Sequence, residues 1–172
     1  MAVYLPRIYC DMDGVLSDFK AQAEKATGMD INSWMAEPGN KFNSVREKWK
    51  PVLNYKNFWS SMPWEPGGQQ LWSFIKKYQP HILSAYVEIT TDPNCKPGKR
   101  EWLRRNVGVP DDRINLVRRV EKQNFANLRG EATILIDDYV KNIVQFKARG
   151  GIGIQHTSAF NTISQLKKLG FD

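Results

Sequence analysis

Short runs of consecutive apolar residues alternate along the chain with longer stretches in which apolar residues recur every three or four positions. Runs that are apolar at successive positions suit strands covered on both faces, the condition of a parallel sheet. Residues 7–10 (RIYC), His81–Ala85 (HILSA), Ile114–Val117 (INLV) and 133–136 (TILI) have this character, with Ile152–Gln155 as a weaker fifth. Between them, Leu71, Phe74, Ile75 and Tyr78 follow the i, i+3, i+4, i+7 rule after Pro66-Gly67-Gly68. Pro97 and Gly98 precede a helix predicted over 99–106 and closed by Gly108. Val140, Ile143 and Val144 predict an amphipathic turn before Gly150-Gly151, and Ile163, Leu166 and Leu169 a last helix ending at Gly170. Strands separated by helices read as an α/β fold with crossover helices. Residues 29–64 break the rhythm: they are rich in aromatic and turn residues, show no clear strand, and predict a mostly helical insertion.

Composition narrows the class without choosing a function. A chain of 172 residues, 41% hydrophobic and with eight Phe, six Tyr and six Trp, has enough apolar surface for one packed domain with a small subdomain. The longest apolar runs are far too short to cross a bilayer, so no membrane partner is expected. MAVYLPRIYC has no charged leader ahead of an apolar stretch, so the expected location is cytoplasmic. Cys10 and Cys95 form no CxxC motif and read as free thiols. Neither opens a C-x5-R phosphatase loop. His81 and His156 are too few and too far apart to announce a zinc site. The formal net charge of +7 favours anionic partners.

Against that positive balance, DMDGVLSDF stands out. Asp11, Asp13 and Asp18 crowd around a glycine directly after the first predicted strand, and Asp137-Asp138 end the fourth. Ser84 lies at the end of the second. In a parallel sheet the carboxyl ends of the strands gather at one edge, where ligands bind. Carboxylates converging there repel unless a hard cation sits among them, and Mg2+ suits such oxygen donors. A lone DxDG is more often a plain turn; the coincidence of three motifs at strand ends shifts the reading toward a site. Asp18 is read apart from the others, as the cap of the helix FKAQAEKATG.

DMDGVLSDF, HILSA, a following basic residue and ILIDD together resemble the four motifs of the haloacid dehalogenase-type phosphatases. KNFWSSMPWEPGG and CKPGKREWLRRNVG are similar to stretches of the 5'(3')-deoxyribonucleotidases, and the match spans residues 8–142. The resemblance implies a three-layer, Rossmann-like core with a central parallel sheet, formed by residues 1–18 and 66–172, with a small helical cap at 19–65. It makes Asp11 the nucleophile, which forms an aspartyl-phosphate, and Asp13 the general acid and base. Ser84 and the Ala85 N–H would hold phosphoryl oxygens. Asp11, Asp13 (through its carbonyl), Asp137 and Asp138 would hold Mg2+. Arg118, Arg119 and Lys122 compete for the family's lysine position; Lys122 is preferred, with Lys99 and Arg118 as further phosphate contacts. Phe19 resembles an aromatic that faces the base, and Phe42, Trp49 and Trp59 join it as pocket candidates, although aromatics in a small insertion more often form its own core.

The expected substrate is a small phosphorylated molecule, a deoxyribonucleoside monophosphate first, rather than nucleic acid. The alternatives are a nucleic-acid 3'-end or sugar-phosphate phosphatase, or a non-catalytic nucleotide-binding module. Monomer and homodimer both stay open.

Overall fold

The computed structural model describes residues 4–36 and 44–172. Its strands are β1 (Ile8–Cys10), β2 (His81–Ala85), β3 (Ile114–Val117), β4 (Asn127–Leu128), β5 (Glu131–Ala132), β6 (Ile134–Asp137) and β7 (Ile152–Gln155). The helices are α1 (Phe19–Thr27), α2 (Ile31–Met35), α3 (Val45–Asn54), α4 (Gly68–Ile75), α5 (Cys95–Asn106), α6 (Val140–Ala148) and α7 (Ala159–Lys168). Five strands form one parallel sheet in the order β3-β2-β1-β6-β7, while β4 and β5 pair separately and antiparallel. Among the described residues no helix is long and apolar enough to cross a membrane.

Successive side chains of a strand point to opposite faces, so an unbroken apolar run feeds two cores at once. Ile8, Cys10, Ile82, Ile134, Ile136 and Ile154 belong to one buried cluster, together with Leu71 and Ile75 of α4, Trp102 and Leu103 of α5 and Leu166 of α7. Tyr9, Leu83 and Leu135 belong to the other, with Ile143 and Phe146 of α6. The result is the three-layer α/β architecture. Trp34, Val52, Phe58 and Trp59, from α2, α3 and the turn after α3, join the first cluster, so this segment shares a core with the sheet.

Three details differ from the sequence reading. Helix α5 begins at Cys95 rather than at 99, with Asn94 as its N-cap, so Pro97 and Gly98 lie in its first turn. Proline is tolerated there because the first-turn N–H groups have no helical partner. Val140 and Val144 are exposed; α6 buries Ile143, as expected, together with Phe146. The β4–β5 hairpin carried no turn signal. Its two linking residues, Arg129 and Gly130, have φ of 52° and 86°, a left-handed pair for which Asn-Gly is the usual cue.

His156 follows β7, is buried, and its Nδ1 lies 2.7 Å from Thr162 Oγ1. Burial holds its pKa below the ordinary 6.5. In the unfolded chain the ring takes up a proton first, so its contribution to stability is full above about pH 6.5 and shrinks as the pH falls. His156→Gln is expected to unfold with a shallower loss of stability between about pH 7 and 5 than the parent, read by urea titration. Parallel curves would rule this out.

Candidate active site

Strand order reverses at β1: the chain adds β2 and β3 on one side of it and returns to add β6 and β7 on the other. Such a switch opens a crevice beyond the carboxyl ends of the strands. Asp11 follows β1, Asp137 ends β6, and Ser84 and Ala85 end β2, so the topology delivers these residues to one edge. A cleft of about 740 Å³ opens there. Asp11, Asp13, Ser84, Ala85, Lys122, Asp137 and Asp138 line it, joined on its outer walls by Phe19, Lys20, Ile31, Met35 and Arg119.

The turn after β1 shapes the first wall. Gly14 takes φ of 79°, Ser17 N donates to Met12 O at 2.9 Å, and Ser17 Oγ donates to Asp13 Oδ1 at 3.0 Å. A Cβ on Gly14 would sit 2.2 Å from Asp138 Oδ2, so the glycine makes room for the carboxylate opposite. Asp18 caps α1, its carboxylate accepting from Ala21 N at 2.9 Å, as its spacing predicted.

Two buried lysines divide the acids between them. Lys122 Nζ lies 3.1 Å from Asp11 Oδ1 and 2.7 Å from Asp137 Oδ2. Asp137 also accepts from Asn142 Nδ2 at 3.0 Å and from Tyr139 N at 2.9 Å. Lys99 Nζ donates to Asp13 Oδ2 at 2.7 Å, Ser84 Oγ at 3.1 Å and Ala85 O at 2.6 Å. All three protons of the Lys99 ammonium therefore have acceptors, whereas Lys122 keeps one unassigned donor.

Asp11, Asp137 and Asp138 each offer an oxygen within 4.8 Å of the others. Their crowding is visible in their protonation. Burial, then the Asp137 charge, pushes the Asp11 carboxyl well above the usual carboxylate range, against the pull of Lys122. Asp138 opens to solvent at the cleft mouth, yet the packing around it and the Asp137 charge raise it to about 6. Burial of Lys122 favours its neutral form, but Asp11 and Asp137 outweigh this and its pKa rises. Hard oxygen donors at this spacing, with more negative than positive charge, suit a divalent cation such as magnesium.

Other sequence candidates are placed elsewhere. Arg118 is exposed, lies outside the cleft lining and pairs with Glu88 at 3.0 Å. Trp59 and Trp49 pack into an aromatic cluster rather than lining the cleft: the Trp59 ring stacks at 5.7 Å on Phe19 and at 6.3 Å on Trp49. Phe42 lies outside the described residues. The sequence reading had not named Asn142, Ser17 or Glu65, whose carboxyl is raised to about 7 by burial and then by Asp18. Asn142 is five residues beyond Asp137, on the first turn of α6, and that spacing was the available cue. Arg119 lines the cleft, held by Asn142 Oδ1 and Gln145 Oε1 at 3.0 Å each.

No protein-family model and no curated protein sequence matches this chain. Solved structures do match its backbone. A hydrolase from Streptococcus pneumoniae superposes with a TM-score of 0.58 at 13% identity, covering 96% of this chain and 100% of the other. A protein provisionally named a beta-phosphoglucomutase, from Thermotoga maritima, gives 0.54 at 15% identity over 95% and 99%. A HAD family hydrolase from Deinococcus radiodurans, solved with bound phosphate and sodium, gives 0.51 at 12% identity over 96% and 88%. The chain has the haloacid dehalogenase-type fold. In that fold the cleft described above lies at the reversal of strand order, the place where α/β sheets bind ligands.

Proposed function

We propose that the protein is a magnesium-dependent phosphomonoesterase that works through an aspartyl-phosphate on Asp11, with deoxyribonucleoside monophosphates as its substrates. The observation that carries this reading is the buried Asp11 carboxylate, 3.1 Å from Lys122 and grouped with Asp137 and Asp138 in an open cleft. A structural ion pair has no need of the third carboxylate at a solvent-accessible mouth. Phe19, Ile31 and Met35 on the outer wall support a small substrate with an apolar face such as a nucleobase.

Asp11 and Asp138 would hold the cation directly with the Asp13 carbonyl, and Asp137, already accepting three hydrogen bonds, through water. When bound, the ion supplies the positive charge that lets a carboxylate approach a phosphate. Asp11 attacks phosphorus, the ester P–O bond breaks, and the departing alkoxide takes a proton from Asp13. Asp13 then removes a proton from water, whose oxygen attacks phosphorus and releases Asp11 and inorganic phosphate. Asp13 is held as an acceptor by Lys99 and Ser17.

The test of substrate class is turnover of thymidine monophosphate beside a 3'-phosphorylated oligonucleotide with Mg2+ present. Faster hydrolysis of the monophosphate is expected; preference for the oligonucleotide would reassign the substrate. A glycine pair tests the site itself. Gly14 and Gly28 both have left-handed φ, 79° and 68°, but a Cβ on Gly28 meets nothing within 4 Å. Each Ala variant should lose about 1–2 kcal/mol of stability through the backbone. Gly14→Ala alone should also lose at least about tenfold in kcat/KM, because it drives Asp138 from its place. Equal activity of the two variants would remove Asp138 from the mechanism.

A further inference from the structure

Among the described residues, Trp59 is the one aromatic in its cluster whose polar edge is anchored to a buried charge. Its Nε1 donates to Asp92 Oδ2 at 2.7 Å, with Trp59 3% and Asp92 2% exposed. The other oxygen of Asp92 accepts from Asn94 N at 2.9 Å, at the N-cap of α5. Asp92 makes no ion pair among the described residues. A buried carboxylate held only by neutral N–H donors is costly to keep.

Trp59 also packs against the first turn of α5. A Cβ on Gly98 would lie 2.6 Å from Trp59 Cβ, so the helix approaches this closely only because residue 98 has no side chain. One residue on, Lys99 is 1% exposed, and its ammonium sits 5.3 Å from the Trp59 ring centroid, within cation–π range. That ammonium bridges Asp13, Ser84 and Ala85.

We propose that Asp92 and Trp59 form a brace that positions the Lys99 ammonium, making both of them positioning residues for the phosphate end of the cleft. The proposal rests on the phosphomonoesterase reading for its consequence, but not for its geometry. Asp92 fixes the rotation of the indole, the indole face backs the ammonium, and Gly98 lets the two elements close on each other. Trp59 thereby acts through Lys99 rather than by stacking on a substrate base.

Two measurements test this. The first reads the geometry without catalysis. In protein labelled at lysine Cε, the Lys99 methylene proton signal carries the ring-current shift of Trp59. Asp92→Asn and Trp59→Phe are both expected to move that signal while other lysine signals stay in place. An unmoved Lys99 signal in both folded variants overturns the brace. The second reads the consequence. Trp59→Phe should lower kcat/KM for p-nitrophenyl phosphate roughly tenfold in the parent, yet change it less than about twofold in a Lys99→Ala background. An equal loss in both backgrounds shows that Trp59 acts independently of Lys99 and overturns the proposal. Absence of turnover in the parent itself defeats the phosphomonoesterase reading, and the spectroscopic arm then decides the brace alone.

Discussion

Replacing Asp11 with Asn is expected to abolish phosphatase turnover, by on the order of 10⁴-fold or more, while leaving the protein at least as stable as the parent. The two halves of this result have one cause. Asp11 must be ionised to attack phosphorus, yet it is 6% exposed and faces the Asp137 and Asp138 charges. Its pKa is raised by burial first and Asp137 second, so the folded state resists the form that catalysis needs. An amide of the same shape removes the repulsion, keeps a carbonyl to accept from Met12 N, which lies 2.8 Å from Asp11 Oδ1, and leaves Lys122 paired with Asp137. Nucleophilicity disappears with the charge. Turnover of p-nitrophenyl phosphate and thermal melting, measured on the same preparation, check both halves. Parent-level turnover in the variant would remove Asp11 as nucleophile.

Lys122→Met should have the opposite stability signature. Lys122 is 2% exposed and is the only ammonium within ion-pair distance of Asp11 and Asp137 among the described residues. Removing one partner of a buried pair leaves an uncompensated charge, with a cost of about 3–5 kcal/mol near neutral pH. The variant has an escape, because one carboxyl can bind a proton. Its folded state then holds a proton that the unfolded chain releases, so the variant regains stability as the pH falls from about 7 towards 5. Urea unfolding at both ends of that range is the measurement. A variant as stable as the parent at neutral pH would mean that Lys122 does not hold these acids together.

The sheet was readable in advance because a strand covered on both faces has to be apolar at consecutive positions. His81–Ala85, Ile114–Val117 and Ile152–Gln155 are observed with the expected limits, and the remaining two shift by one residue. Helix limits and faces were less readable. Val140 and Val144 satisfy a helical period with Ile143 as well as Phe146 does, and only the position of the sheet selects which side is buried. The β4–β5 hairpin was silent because Arg129 carries no turn preference.

Within the site, local spacing and tertiary placement contributed different things. Asp11, Asp13, Ser84, Asp137 and Asp138 were marked by lying at strand ends, and parallel strands bring their carboxyl ends together wherever the chain wanders between them. The sequence alone therefore determined that these groups share one edge. Only the family resemblance favoured Lys122 over Arg118, four residues earlier in a basic run, because a charge count does not record which side chain turns inward. A 3-10 helix over Arg119–Phe125 places Lys122 between Asp11 and Asp137 and leaves Arg118 in solvent with Glu88. Trp59 likewise reads in sequence as one aromatic among many. Its link to Asp92, 33 residues away, and its place beneath Lys99 come from packing two distant elements through Gly98. Periodicity is a property of neighbouring residues and survives in the sequence; the pairing of one buried charge with another is a property of the folded core, and only the tertiary structure decides it.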